Sequence, residues 1–125
     1  MTTDKITSFV IDRETWDRGG LRQTALLTDD NKRCCLGFYG EACGLSDSMQ
    51  LNTADPGELD EASKKTLKDA GGEWLFMQDE YCHRQSKATN DLIFENDNLV
   101  TKNETREQNI ARIFAENGVT VTFIN

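Results

Sequence analysis

The sequence predicts a single α+β domain: a small, mostly antiparallel sheet packed by a central helix rich in glycine and cysteine and by a C-terminal helix. Three observations carry this. Residues 34–44 form an apolar, glycine-notched segment whose only charge is Glu41, in a chain where 29% of residues are charged. Segments 6–12, 24–28 and 119–124 are β-branched and aromatic, as strands are. The stretch before the last of these carries Ile110, Ile113 and Phe114 at helical spacing and ends at Asn117-Gly118.

In chain order, Ile6 to Asp12 predicts a strand with Phe9 and Ile11 on one side and Val10 on the other. Arg13 to Asp17 suits a helical turn carrying Trp16, stopped by Gly19-Gly20. Thr24 to Thr28 predicts a second short strand, and Asp29-Asp30-Asn31 a turn able to cap the central helix. That helix places Cys35, Leu36, Tyr39, Ala42 and Cys43 on one face and Gly37, Gly40 and Gly44 on another. Interior glycine costs ~1 kcal/mol against alanine, which predicts another backbone packed into the groove it leaves. Gly44 is placed to terminate the helix in the left-handed conformation.

Residues 46–53 read as a polar loop pinned by Met49 and Leu51. Asp55-Pro56-Gly57-Glu58 has the form of a helix start, a cap followed by proline and a glutamate three residues on. It predicts a mostly exposed helix to about Ala70, ended by Gly71-Gly72 and burying Leu59, Ala62 and Leu67. Trp74 to Met77 reads as the start of a helix continuing through Tyr81. Ser86 to Thr89 caps a helix with Leu92, Ile93 and Phe94, ending at Asn96-Asp97-Asn98. Thr101 or Asn103 caps the last helix, and Val119 to Ile124 alternates as a half-buried strand.

With 125 residues there is room for one domain. The formal charge of −8 falls entirely on residues 36–125, since residues 1–35 hold six basic and six acidic side chains. That balance argues against direct binding to a nucleic-acid backbone, whose affinity comes from cationic side chains. No run approaches the ~20 apolar residues that span a bilayer, and the first residues lack a signal-peptide pattern, so a cytoplasmic protein with reduced thiols is expected.

Cys34, Cys35, Cys43, Cys82 and His83 are the candidate metal ligands. They lack the two-to-four-residue pairing of structural zinc sites, and Cys35 and Cys43 would lie ~12 Å apart along a helix. No metal or other cofactor is expected. A cysteine nucleophile would need a base; His83, the only histidine, follows Cys82 directly, and helix neighbours do not face each other. No catalytic residue is assigned, although a small nucleotide-processing enzyme using Cys34 or His83 is the contrasting class. Arg13, Trp16, Arg18 and Arg22 bring guanidinium forks near an aromatic face, a combination suited to a phosphate and a base. Asn96-Asp97 and Arg106 form a second grouping, readable either as ligand contacts or as a structural clasp.

Ile11-Asp12-Arg13 with Trp16, Cys34-Cys35-Leu36-Gly37-Phe38 with Ala42-Cys43-Gly44-Leu45, then Asn96-Asp97, Arg106-Glu107, Ile113-Phe114 and Gly118 together resemble a family of small proteins encoded by phages and prophages. The likeness covers residues 6–45 and 92–124 and carries no catalytic residues over. It implies an accessory protein that counters host defence by binding, as proteins that sequester signal nucleotides in anti-Thoeris and anti-CBASS systems do. The leading expectation is a sponge for a cyclic nucleotide-type signal, with Arg13, Arg22 and Arg106 on phosphates, Trp16 or Phe94 as stacking surface, and Asn96 and Asp97 nearby. The alternative is an acidic inhibitor that occludes a host protein through residues 56–69. Expected partners are therefore a small nucleotide-type ligand or a host protein, with no nucleic acid and no membrane; a homo-oligomer is compatible with the sequence.

Overall fold

The structure, a computed structural model, describes residues 5–18, 25–76, 86–97 and 102–125. In chain order the elements are β1 (Ser8–Asp12), α1 (Cys35–Ala42), α2 (Asp47–Gln50), a 3-10 turn (Pro56–Glu58), α3 (Glu61–Asp69), a second 3-10 turn (Gly72–Leu75), α4 (Lys87–Asp97), α5 (Asn103–Glu116) and β2 (Thr120–Ile124). They make an α+β domain with one continuous core.

The sheet departs from expectation in direction and size. Among the described residues it has two strands, and they run parallel, with Ser8 opposite Thr120 and Asp12 opposite Ile124. Alternating apolarity is commonest in antiparallel sheets, which keep one face in water, but a two-stranded parallel pair covered on one face alternates in the same way. The segment expected as a second short strand, of which residues 25–28 are described, instead has its backbone committed elsewhere. Leu26 N–H bonds Thr53 O at 2.8 Å, Cys34 N–H bonds Ala25 O at 3.2 Å, and Leu27 forms a single bridge with Leu51.

The central helix is buried nearly all round. Cys35, Leu36, Gly37, Phe38, Tyr39 and Gly40 are all inside, whereas Ala42, expected on the buried stripe, is exposed. The groove left by its glycines is filled as predicted: a Cβ built on Gly37 would lie 2.0 Å from the carbonyl oxygen of Leu26. At Gly40 the filler is a side chain, Gln50, whose Nε2 would lie 2.5 Å from an added Cβ. Gly44 takes φ 105° at the helix end. Tyr39 is fully buried among Phe9, Trp74 and Phe114, each 5.5 Å away by ring centroid, and Trp74 Nε1 donates to its hydroxyl at 3.2 Å.

The polar stretch after α1 is not a plain loop. Ser46 Oγ accepts from Met49 N–H and starts α2, which delivers Gln50 to the interior, while Leu51 stays on the surface. Further on, Asp55-Pro56-Gly57-Glu58 makes only a 3-10 turn, because Leu59 is extended and turns inward. The α-helix starts at Asp60, whose carboxylate accepts Ser63 N–H at 2.7 Å; Leu67 is buried, Ala62 is not. The Trp74 run is one 3-10 turn that gives way to extended backbone at Phe76, and the continuation expected through Tyr81 lies outside the described residues. Ser86 caps α4 as predicted, accepting Thr89 N–H at 3.2 Å. Lys102 occupies the cap position of α5 and Asn103 is already inside the helix, while Thr101 lies outside the described residues. Ile110, Ile113 and Phe114 are buried, as expected, and Gly118 takes φ 81°.

Candidate functional site

The residues expected to contact a ligand are dispersed by the fold. Arg22 lies outside the described residues, as do Cys82 and His83. Arg13 leaves β1 and forms a two-pronged pair with Glu107 of α5, Nε to Oε2 at 2.9 Å and Nη2 to Oε1 at 2.7 Å, while its guanidinium sits 5.6 Å from the Phe123 ring centroid. The hydrogen bonds to Glu107 push the Arg13 pKa up. Its fork is thus already used inside the protein.

Trp16 is buried rather than a stacking surface. Arg18 lies over its ring at 4.7 Å and Phe123 packs against it at 5.5 Å. Its indole N–H donates to Asn96 Oδ1 at 2.8 Å, and that same oxygen accepts the N–H of Cys35 at 2.9 Å. Asn96 Nδ2 donates to Asp17 O and to Asp97 Oδ1, both at 2.9 Å. The amide therefore uses both acceptor sites and both protons while buried. Its position explains an oddity of α1: the cap residue Cys34 supplies no side-chain acceptor, and Asn96 serves an orphan N–H of the first turn from across the core. Arg106 is also buried, its Nε donating to Glu95 O at 3.1 Å; burial and the neighbouring Arg18 pull its pKa down. These residues form the clasp that fastens residues 13–17, α1 and the end of α4.

The three described thiols are interior as well. Burial pushes Cys34 up to about 12 and Cys43 up to about 11, and pushes Cys35 well above the ordinary range. Such thiols are not thiolate nucleophiles near neutral pH. Among the described residues no group of histidine, cysteine or carboxylate side chains is arranged to hold a metal ion.

Phe94 is the exception. On α4, Thr89, Leu92 and Asn96 face inward, which turns Lys87, Asp91, Phe94 and Glu95 outward along the opposite side. Phe94 is 65% exposed. It lines a groove of about 600 Å³ between α4 and α5, with Lys87, Asp91 and Glu95 on one side and Arg112, Ile113, Glu116 and Asn117 on the other. Lys87 pairs with Asp91 at 2.7 Å and Arg112 with Glu116 at 2.9 Å; Asn109 donates to Glu95 at 3.1 Å across the two helices. Lys87, Arg112 and Glu116 carry no distinctive signal in the sequence, because such pairs four residues apart resemble any solvated helix face. The signal available was their coincidence with Phe94, a large aromatic on the wrong side of its helix.

Comparison of the chain with protein-family models, with curated proteins and with solved structures finds no match.

Proposed function

We propose that the chain is a non-catalytic binding protein that acts by occluding a partner protein, with the α4–α5 groove around Phe94 as its contact surface. The observation that carries this is the 65% exposed phenyl ring in a groove rimmed by Lys87, Asp91, Glu95, Arg112 and Glu116. An aromatic anchor within a charged rim is the anatomy of a protein-binding hot spot. A phosphate-bearing ligand is served less well. The rim holds three carboxylates against two cations, both cations have partners, the fork of Arg13 is spent on Glu107, and Arg106 is buried with its Nε–H on the Glu95 carbonyl. The contact surface also differs from the 56–69 segment expected for an occluder, where Lys64, Lys65 and Lys68 offset the acidic residues. The resemblance to phage and prophage proteins supplies the setting: an acidic accessory protein that counters a host defence protein.

The test pairs two measurements. In bacteria protected from phage by a defence system that the native chain disables, Phe94→Asp should restore protection while leaving the circular dichroism spectrum and Tm of the purified protein unchanged. In thermal shift against a panel of cyclic nucleotides no stabilisation is expected. A ligand at 100 times its Kd would add ~2.7 kcal/mol, and such a shift, lost in Phe94→Ala, would replace occlusion with nucleotide sequestration. Turnover of any nucleotide in the panel would replace both with an enzyme.

A further inference from the structure

The register of the sheet identifies which backbone groups of β2 face away from β1. Thr120 N–H bonds Thr7 O at 2.8 Å and Arg13 N–H bonds Ile124 O at 2.9 Å, so the even-numbered residues of β2 direct their polar groups to β1. Alternation then directs the N–H and C=O of Val121 and Phe123 outward. Among the described residues nothing bonds them. Open edges are ordinarily blunted by charge, proline or a bulge. Thr120-Val121-Thr122-Phe123-Ile124 has no charge and no proline, and it pairs with β1 residue for residue, in a chain of net charge −8. The side chains of Val121 and Phe123 also line a second groove, of about 310 Å³, with Glu104, Glu107, Gln108 and Ala111 of α5. This is the flank of α5 turned away from Phe94.

We propose that this edge is a self-association site: β2 pairs antiparallel with β2 of a second copy about Thr122, giving one four-stranded sheet. The occupant is dictated by the strand's own complementarity. In this register Val121 faces Phe123 of the second copy, and the two residues exchange both N–H···O bonds, twice over by symmetry. Their apolar side chains meet on the inner face and cover the 310 Å³ groove. On the outer face Thr122 meets Thr122 and Thr120 meets Ile124, so no charge on the strand opposes its like. The strand itself brings no charge to the contact, and Glu107 beside it is paired with Arg13. The pairing is independent of what Phe94 binds, and it would present two α4–α5 grooves on one particle.

Sedimentation equilibrium from micromolar to millimolar chain should show a monomer–dimer equilibrium that tightens as added salt screens the net charge. In a non-hydrogen-bonded antiparallel pair the Cα atoms are ~4.5 Å apart, within disulfide reach. Thr122→Cys should therefore crosslink to its twin under mild oxidation, well above the native chain treated alike, whereas Thr120→Cys, facing Ile124, should not. Thr122→Lys, at an exposed position, should weaken the dimer by roughly tenfold or more with Tm of the monomer retained. A monomer throughout the range, equal crosslinking of the two cysteine variants, or a dimer indifferent to Thr122→Lys overturns the proposal; the first of these leaves the edge to a strand of a different protein.

Discussion

Gly37→Ala sets two known effects against each other. By propensity alone, alanine in a helix interior is favoured by ~1 kcal/mol. Against that, the new Cβ would sit 2.0 Å from Leu26 O and 2.8 Å from Leu26 C, whereas ordinary contact begins near 3.4 Å. Residues 25–28 would have to retreat by about 1.4 Å. That movement strains the bonds from Cys34 N–H to Ala25 O and from Leu26 N–H to Thr53 O, and tilting α1 instead strains the 2.8 Å bond from Gln50 Nε2 to Gly37 O. Overpacking costs ~1–3 kcal/mol and each weakened buried bond ~1 kcal/mol. The net expectation is a loss of ~2–3 kcal/mol, or roughly 10 °C in Tm for a domain of this size. Urea titration at constant slope measures it, with Ala42→Gly on the exposed side of the same helix as a comparison expected to cost ~1 kcal/mol. A Gly37→Ala protein as stable as the native one, or more so, would refute the close approach of the two backbones.

Asn96→Leu should cost ~3–5 kcal/mol, because it strands the N–H groups of Trp16 and Cys35 and the carbonyl of Asp17 in the interior; chemical denaturation checks this, and a loss under ~1 kcal/mol would contradict the clasp. Gln50→Leu should cost ~2–4 kcal/mol by the same logic, since Arg33 Nε and Gly37 O lose their partner, and loss of native near-ultraviolet circular dichroism should accompany it. For the thiols, the folded pKa values of Cys34 and Cys43, about 12 and about 11, lie above the ordinary value of 9.0. Between those values the unfolded chain releases protons that the folded one keeps, so stability is full below pH ~9 and falls as pH rises toward ~12. Denaturant midpoints measured across that range should show the decline, and a thiol reagent near pH 8 should reach Cys34, Cys35 and Cys43 only at the rate of opening.

Whatever depends on local chemistry could be read from the residues alone. The glycines of α1 announced a close neighbour because a helix seldom keeps them otherwise, and Leu26 and Gln50 are those neighbours. Ser86, Gly44 and Gly118 punctuate helices where their side chains or their lack of one suggest. Direction of pairing was not readable, since Phe9, Ile11, Val121 and Phe123 would bury one face in either sense. Nor was the burial of Arg33 and Gln50: each looks like surface until Gln50 Oε1 accepts from Arg33 Nε at 2.9 Å and Asp47 and Glu41 meet the rest of the guanidinium. The candidate site divides the same way. The clasp reading of Asn96 and Arg106 was available from their positions at a helix end and in the next helix, whereas Trp16 as a ligand platform failed because its exposure depends on Asn96, eighty residues away.

The pairing of Ser8 with Thr120 spans nearly the whole chain, and it has a consequence for how the molecule comes into being. A contact between such distant residues carries a large loop-closure entropy and slows folding relative to local helix formation. On the ribosome β1 stays without its partner until synthesis has passed β2, so Phe9 and Ile11 wait for that strand to be enclosed on both sides. Emergence of β2 is the event that completes the sheet, and a chain stalled within α5 would present an uncapped, aggregation-prone strand to the cell's chaperones.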